Sequence, residues 1–229
     1  MFRQPRQTQP DRFSMRLGTV LHPLTVIPWG PLALSYLGVP IGVGATMIVL
    51  QDHDYTSAIQ KLENTGFTRS VLNRNLAPEI IEDHPTPQQM LEEINAGYKR
   101  VDRLCAVFDY PCGDPAEKGL QRYSQNKQYD TYSNLHYPLE PILVESFVKA
   151  AIDEETDAGF SAWGELLKCW VSMITAYLEV DNNILDYCLD KQAVGWYSVR
   201  FGRIHEAKFG PMDRRISKRL GSGKELPMI

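Results

Sequence analysis

Apolar residues recur along this chain with two different periods, and the places where one gives way to the other mark its elements. Between Leu24 and Phe67 the pattern changes every few residues. Val26-Ile27 is a short extended run, Trp29-Gly30-Pro31 interrupts it, and Leu32 to Leu37 has helical spacing. Ala45 to Leu50 is a continuous apolar run, and Asp54 opens an amphipathic stretch that stops at Gly66. Short apolar runs bounded by turn residues predict strands, whereas recurrence at i, i+3 and i+4 predicts helices. The segment therefore predicts strand, glycine turn, helix, buried strand, helix. Further strands are expected at Phe67 to Leu72 and at Val101 to Phe108. Between them, Thr86-Pro87-Gln88-Gln89 predicts a helix start: Thr86 caps free amides, Pro87 suits the first helical position and Gln89 completes a capping box. Met90, Leu91 and Ile94 supply the buried face of that helix, and Asn95-Ala96-Gly97 its stop.

From Asp109 to Tyr137 the periodicity is lost in a polar, tyrosine-rich run interrupted by Pro111, Gly113, Pro115 and Gly119. A loop of that length reads as a ligand lid, a partner-binding arm or a plain connector. After Pro138 the pattern is helical. One helix buries Ile142, Leu143, Phe147, Val148, Ala151 and Ile152 and leaves through Asp153-Glu154-Glu155. A second carries a stripe of Phe160, Trp163, Leu166, Leu167, Trp170, Val171, Ile174, Tyr177 and Leu178, which must cover an apolar surface. A third contains Ala193, Val194, Trp196, Tyr197, Val199 and Phe201. The polar N-terminus with Pro5 and Pro10 reads as a disordered leader. The resulting division is a leader over 1–18, an αβ domain over 19–137, a helical region over 138–205 packed on it, and a basic tail over 206–229. The fold class is α+β.

The 229 residues suffice for a well-buried core. The apolar runs are too short to span a bilayer, and the N-terminus lacks the apolar centre of a secretory signal, so the reading is intracellular, cytoplasmic or nuclear, with no membrane partner. The four cysteines have no C-x-x-C spacing, and Cys169, in a strongly apolar helix, reads as an inert buried thiol. The five histidines show no metal-ligand spacing. The net charge of −4 conceals a basic C-terminal segment. There Arg214, Arg215, Lys218 and Arg219 fall on neighbouring turns, a footprint for a nucleic-acid or protein partner or, more simply, a solvated face. Gly221-Ser222-Gly223-Lys224 has the look of a P-loop ending, but no strand precedes it and Glu225 replaces the required hydroxyl residue, so it reads as tail.

Taken together, Trp29-Gly30, Ala33-Leu34, Gly38-Val39-Pro40 and Leu50-Gln51-Asp52 resemble a family of uncharacterised fungal proteins with a degenerate nucleotidyltransferase-like domain. The likeness continues through the segments beginning at Pro138, Phe160 and Phe201. It implies a nucleotidyltransferase-like αβ core with a mixed sheet, followed by a C-terminal helical region. Working nucleotidyltransferases place two acids, spaced by two, on one face of the second strand, where they hold metal ions about 4 Å apart. Here Gly44, Thr46 and Ile48 share one face and Ala45, Met47 and Val49 the other, and neither carries a carboxylate. Pro31 also removes an amide donor from the glycine turn. The resemblance thus implies a binding or interaction protein with no catalytic residue and no cofactor. The alternative is a metal-dependent nucleotidyltransferase whose magnesium site is displaced to Asp52, Asp54 and Asp102, with His53 alongside. Against that stands the simpler reading that Asp54 caps a helix and Asp52 favours its dipole.

Overall fold

A computed structural model describes residues 4–72, 74, 85–111, 124–125, 128–178, 180 and 184–201. The first helix, α1 (Arg12–Leu21), begins where the Asp11 carboxylate accepts hydrogen bonds from the amides of Phe13 (2.9 Å) and Ser14 (3.1 Å). Its buried face is Ser14, Leu17, Gly18 and Leu21. This corrects the disordered leader: residues 4–18 hold a capped helix and, before it, a segment pinned to the core. The helix follows because Asp11 satisfies amides that would otherwise be orphaned and because one face has an apolar surface to cover.

The next elements keep the expected order: β1 (Ile27–Trp29), α2 (Pro31–Tyr36), β2 (Met47–Val49), a 3-10 turn (Asp52–Asp54) and α3 (Tyr55–Asn64). They are followed by β3 (Thr68–Ser70), α4 (Pro87–Ala96), α5 (Lys99–Leu104) and β4 (Val107–Asp109). The expected strand from Val101 to Phe108 is thus divided, its first half being helical; so short a run fits either period. β2 is less buried than expected, with Val49 exposed.

In place of one mixed sheet, the described residues form three small antiparallel sheets: β1 with β2, β3 with β4, and β5 (Ser124–Gln125), β6 (Tyr129–Tyr132) and β7 (Leu135–Pro138) in sequence. The only parallel element among them is a bridge between Val26 and Leu135 that joins β1 to β7. Gly30 and Pro31 end β1 after three residues and so limit its ladder. The β6–β7 hairpin corrects the loop expected up to Tyr137. It turns at Ser133 (φ 56°) and Asn134, and Asp130, Tyr132, Leu135 and Tyr137 are buried along it.

The C-terminal half is helical: α6 (Glu140–Ala158), α7 (Ala162–Tyr177) and α8 (Lys191–Phe201). α6 packs along α7, and both receive β1 through an aromatic cluster. Trp29 lies 5.0 Å from Phe147, 6.0 Å from Trp163 and 5.7 Å from Trp170 between ring centroids, and its indole N–H donates to Ser146 Oγ at 2.9 Å. Offset and edge-on contacts of this kind add to the burial term. The acids expected to mark the end of α6 lie inside it. Glu154 is buried, accepting from Ser161 Oγ (2.7 Å) and Arg100 Nη1 (3.2 Å), while Glu155 accepts from Trp196 Nε1 (2.8 Å) and Arg200 Nη2 (2.8 Å). Ser161 also caps α7 by accepting from the Gly164 amide at 3.0 Å. Two further expectations are corrected on α7 and its approach. Phe160 precedes the helix and is 87% exposed, and Cys169 faces solvent.

No helix among the described residues is long and apolar enough to cross a membrane.

Candidate functional site

The glycine turn between β1 and α2 is built for packing. Gly30 has φ +58° and is buried, a conformation that suits glycine. A Cβ there would lie 2.9 Å from Met47 Sδ and 3.1 Å from the Trp170 ring, so the bare face of the turn is filled by a side chain from β2 and one from α7. Pro31 occupies the first turn of α2. Met47 pairs with Trp29 in the β1–β2 ladder.

The sequence-predicted carboxylates fall in two places. Asp52 and Asp54 share the 3-10 turn after β2, with exposed His53 between them, its Nε2 3.6 Å from Asp54 Oδ1. Asp54 stands at the cap position of α3, but its side chain makes no capping hydrogen bond. Asp102 lies on α5, where Arg74 donates to it through both Nη1 (2.7 Å) and Nη2. The hydrogen bond from Arg74 to Asp102 raises the guanidinium's pKa, and the same guanidinium covers the Tyr98 ring at 4.2 Å. Among the described residues, no group of three or more His, Cys, Asp or Glu side chains is gathered closely enough to hold a metal ion. Arg214, Arg215, Lys218 and Arg219 lie outside the described residues, as do Gly221 to Lys224 and most of the run from Cys112 to Lys127.

Among the described residues, a dense polar arrangement inside the protein involves residues that carry no motif in the sequence. Tyr36, at the end of α2, donates to Asp130 Oδ2 at 2.8 Å, and its oxygen lies 2.8 Å from that of Tyr132. The Tyr132 hydroxyl donates to the Thr8 carbonyl at 2.9 Å. Arg6 reaches in from the N-terminal segment: its Nη2 contacts both Glu140 oxygens (2.8 and 3.0 Å), and its Nη1 lies 3.7 Å from Asp130 Oδ2. Tyr137 stacks on Tyr36 with centroids 4.1 Å apart, and its buried hydroxyl makes no hydrogen bond of acceptable geometry. Burial, reinforced by the bonds to Tyr132 and Asp130, raises the Tyr36 pKa, and burial likewise raises that of Tyr137, so both stay protonated at neutral pH. The alternation of Asp130 with Tyr132, then Leu135 with Tyr137, about a Ser-Asn pair is the sequence signal that could have revealed this hairpin.

An open cleft of about 400 Å³ lies beside the hairpin turn, lined by His22, Pro23, Thr25, Ser133, Asn134 and His136. Burial lowers the His136 pKa, and Nδ1 of that ring lies 3.2 Å from Thr131 Oγ1. None of the sequence-predicted site residues lines the cleft. Comparison with protein-family models, with curated proteins and with solved structures gives no match in any of the three.

Proposed function

We propose that the chain is a catalytically degenerate nucleotidyltransferase-like protein that works by binding or interaction. The observation that carries this reading is the packing of the glycine turn. In a phosphate-binding turn the bare glycine face lets backbone amides approach an anion closely. Here that face is taken up by Met47 and Trp170, Pro31 brings no amide hydrogen, and β2 presents Met47, Ile48 and Val49 where the chemistry needs carboxylates. The order β1, α2, β2, α3 supports the nucleotidyltransferase-like ancestry, and the basic residues Arg214, Arg215, Lys218 and Arg219 are its proposed contact with a protein or nucleic-acid partner.

Thermal unfolding against nucleoside triphosphates, with and without magnesium or manganese, tests the proposal, since a ligand that binds the folded state raises its apparent stability. The expected result is no metal-dependent shift. A shift that vanishes in Asp52→Asn would overturn the reading in favour of the displaced magnesium site at Asp52, Asp54 and Asp102. That second reading draws on the shared turn of Asp52 and Asp54, and requires Asp102 to exchange Arg74 for a metal ion. Salt-sensitive nucleic-acid binding, lost on removing the residues after Ile204, is the corresponding test of the basic tail.

A further inference from the structure

The segment over residues 4–10 crosses the end of α2 and the β6–β7 hairpin. It is attached almost wholly through polar contacts: Gln4 N donates to Gly38 O (3.3 Å), Gln7 N donates to Tyr36 O (2.9 Å), Thr8 O accepts from Tyr132, and Arg6 meets Glu140 and Asp130. Of its side chains only Pro10 is buried and Arg6 is half-buried; the others are exposed. Beneath it lie Tyr36, Tyr132 and Asp130, each no more than 1% exposed. A segment that buries so little apolar surface belongs to the low-stability end of the molecule and opens without global unfolding. Its path is also shaped to the surface below. Gly38 has φ +95°, and a Cβ there would lie 2.2 Å from the Gln4 carbonyl oxygen, so the strap runs against a bare glycine face.

We infer that residues 4–10 are a displaceable strap in which Arg6 occupies, in cis, a recognition site for an arginine carried on an extended peptide segment. The site consists of the Glu140 and Asp130 carboxylates, the Tyr36 and Tyr132 hydroxyls, and the carbonyls of Tyr36 and Gly38. The guanidinium lies between two carboxylates, one of them fully buried, and its bonds to both Glu140 oxygens are charge-assisted, the strong kind. When the strap lifts, the exposed surface selects another guanidinium. The flanking backbone contacts select one held in an extended chain over a free cation. This inference does not depend on the nucleotidyltransferase-like reading, because it uses none of Gly30, Asp52, Asp54 or Asp102.

The test uses the full chain and a labelled peptide of residues 4–10, QPRQTQP, with fluorescence anisotropy at low salt. The Arg6→Ala chain is expected to bind this peptide at least tenfold more tightly than does the wild-type chain, whose own Arg6 competes. It is also expected to prefer it at least tenfold over the peptide with alanine in place of arginine. Adding Glu140→Gln to the Arg6→Ala chain should abolish that preference. Free arginine, which lacks the backbone groups, should compete at least tenfold more weakly than the peptide. Binding of neither peptide, equal binding of both, or equal competition by free arginine would each overturn the inference. An independent check uses the wild-type chain and does not depend on how the variant folds. In amide hydrogen exchange, Gln7 should exchange much faster than Leu143 in α6, at a rate insensitive to low denaturant. If Gln7 exchanges only together with Leu143, the strap is not displaceable and the proposal fails.

Discussion

Tyr36→Phe and Tyr137→Phe each remove one oxygen atom from one of two buried, stacked rings, yet the structure assigns the two changes opposite signs. The Tyr36 hydroxyl donates to Asp130 and sits within hydrogen-bond distance of the Tyr132 hydroxyl, while the Tyr137 hydroxyl is buried near the Ser14 side chain without a hydrogen bond of good geometry. Loss of a hydrogen bond to a carboxylate costs about 1.5–3 kcal/mol, and here the carboxylate left behind is fully buried. Tyr132 keeps the Thr8 carbonyl as an acceptor, which limits the added cost on its side. The expected destabilisation for Tyr36→Phe is therefore about 2–3 kcal/mol, or roughly 4–12 °C in melting temperature for a chain of this size. Tyr137→Phe removes an unsatisfied polar atom and should be neutral or stabilising by up to about 1 kcal/mol. Urea titration followed by tryptophan fluorescence reads both, because Trp29, Trp163 and Trp170 share the aromatic cluster. Equal losses for the two variants would refute the assignment, because the stacked rings are retained in both and only the surroundings of the hydroxyls differ. A loss above about 1 kcal/mol for Tyr137→Phe would show that its hydroxyl has a partner after all.

Four other outcomes follow from the same geometry. Gly30→Ala should cost about 2–4 kcal/mol in a denaturant titration, from a positive φ and from the Cβ approach to Met47 and Trp170. Ser161→Ala removes both the cap of α7 and a donor to buried Glu154, and should lower stability by about 2 kcal/mol; a change within experimental error would show that Arg100 alone satisfies Glu154. Burial raises the pKa of Tyr36, of Tyr137 and of Tyr110, the last to about 12, so the unfolded chain loses these protons first. Stability is thus fully present below about pH 10 and falls as pH rises through the folded values; the share of tyrosinate absorbance that belongs to the buried rings should grow only together with loss of helical circular dichroism, and ionisation of all eleven tyrosines with the helices intact would contradict this. Cys169 faces solvent and should react with a thiol reagent in the native protein at a rate that low denaturant does not change.

The parts of the fold legible in the sequence are those whose elements declare themselves locally. β1, α2, β2 and α3 could be placed because Gly30-Pro31 and Gly66 punctuate runs of clear period, and α7 because Trp163, Leu167, Trp170, Val171 and Ile174 recur on one face. The β6–β7 hairpin was hidden because its buried residues are Asp130, Tyr132 and Tyr137, side chains whose polar atoms suggest exposure until their mutual hydrogen bonds are known. α1 was hidden by two prolines upstream of it, although Asp11 supplies an ordinary capping signal before Phe13. Three acids in a row, Asp153-Glu154-Glu155, suggest solvent and a helix end. Glu154 is buried because Ser161 and Arg100 are brought to it by α7 and α5.

The same reasoning bears on where chemistry can be sought. A carboxylate's role depends on the charge it meets, and in this chain the meeting partners come from afar: Arg74 is 28 residues from Asp102, Arg100 is 54 from Glu154, and Arg6 is 134 from Glu140. Spacing within a motif carries no information about such partners: the strand expected from Val101 to Phe108 would bring Asp102 to Asp52 and Asp54, while the folded chain puts Asp102 on a helix and gives it to an arginine. Asp52, exposed, and Asp54, half-buried, differ from Asp102 in sharing one 3-10 turn just after β2. Nucleotide and metal titrations should therefore be read against Asp52→Asn first. An effect at Asp102 alone would report loss of the Arg74 contact, which also positions the guanidinium over Tyr98, and would say nothing about metal.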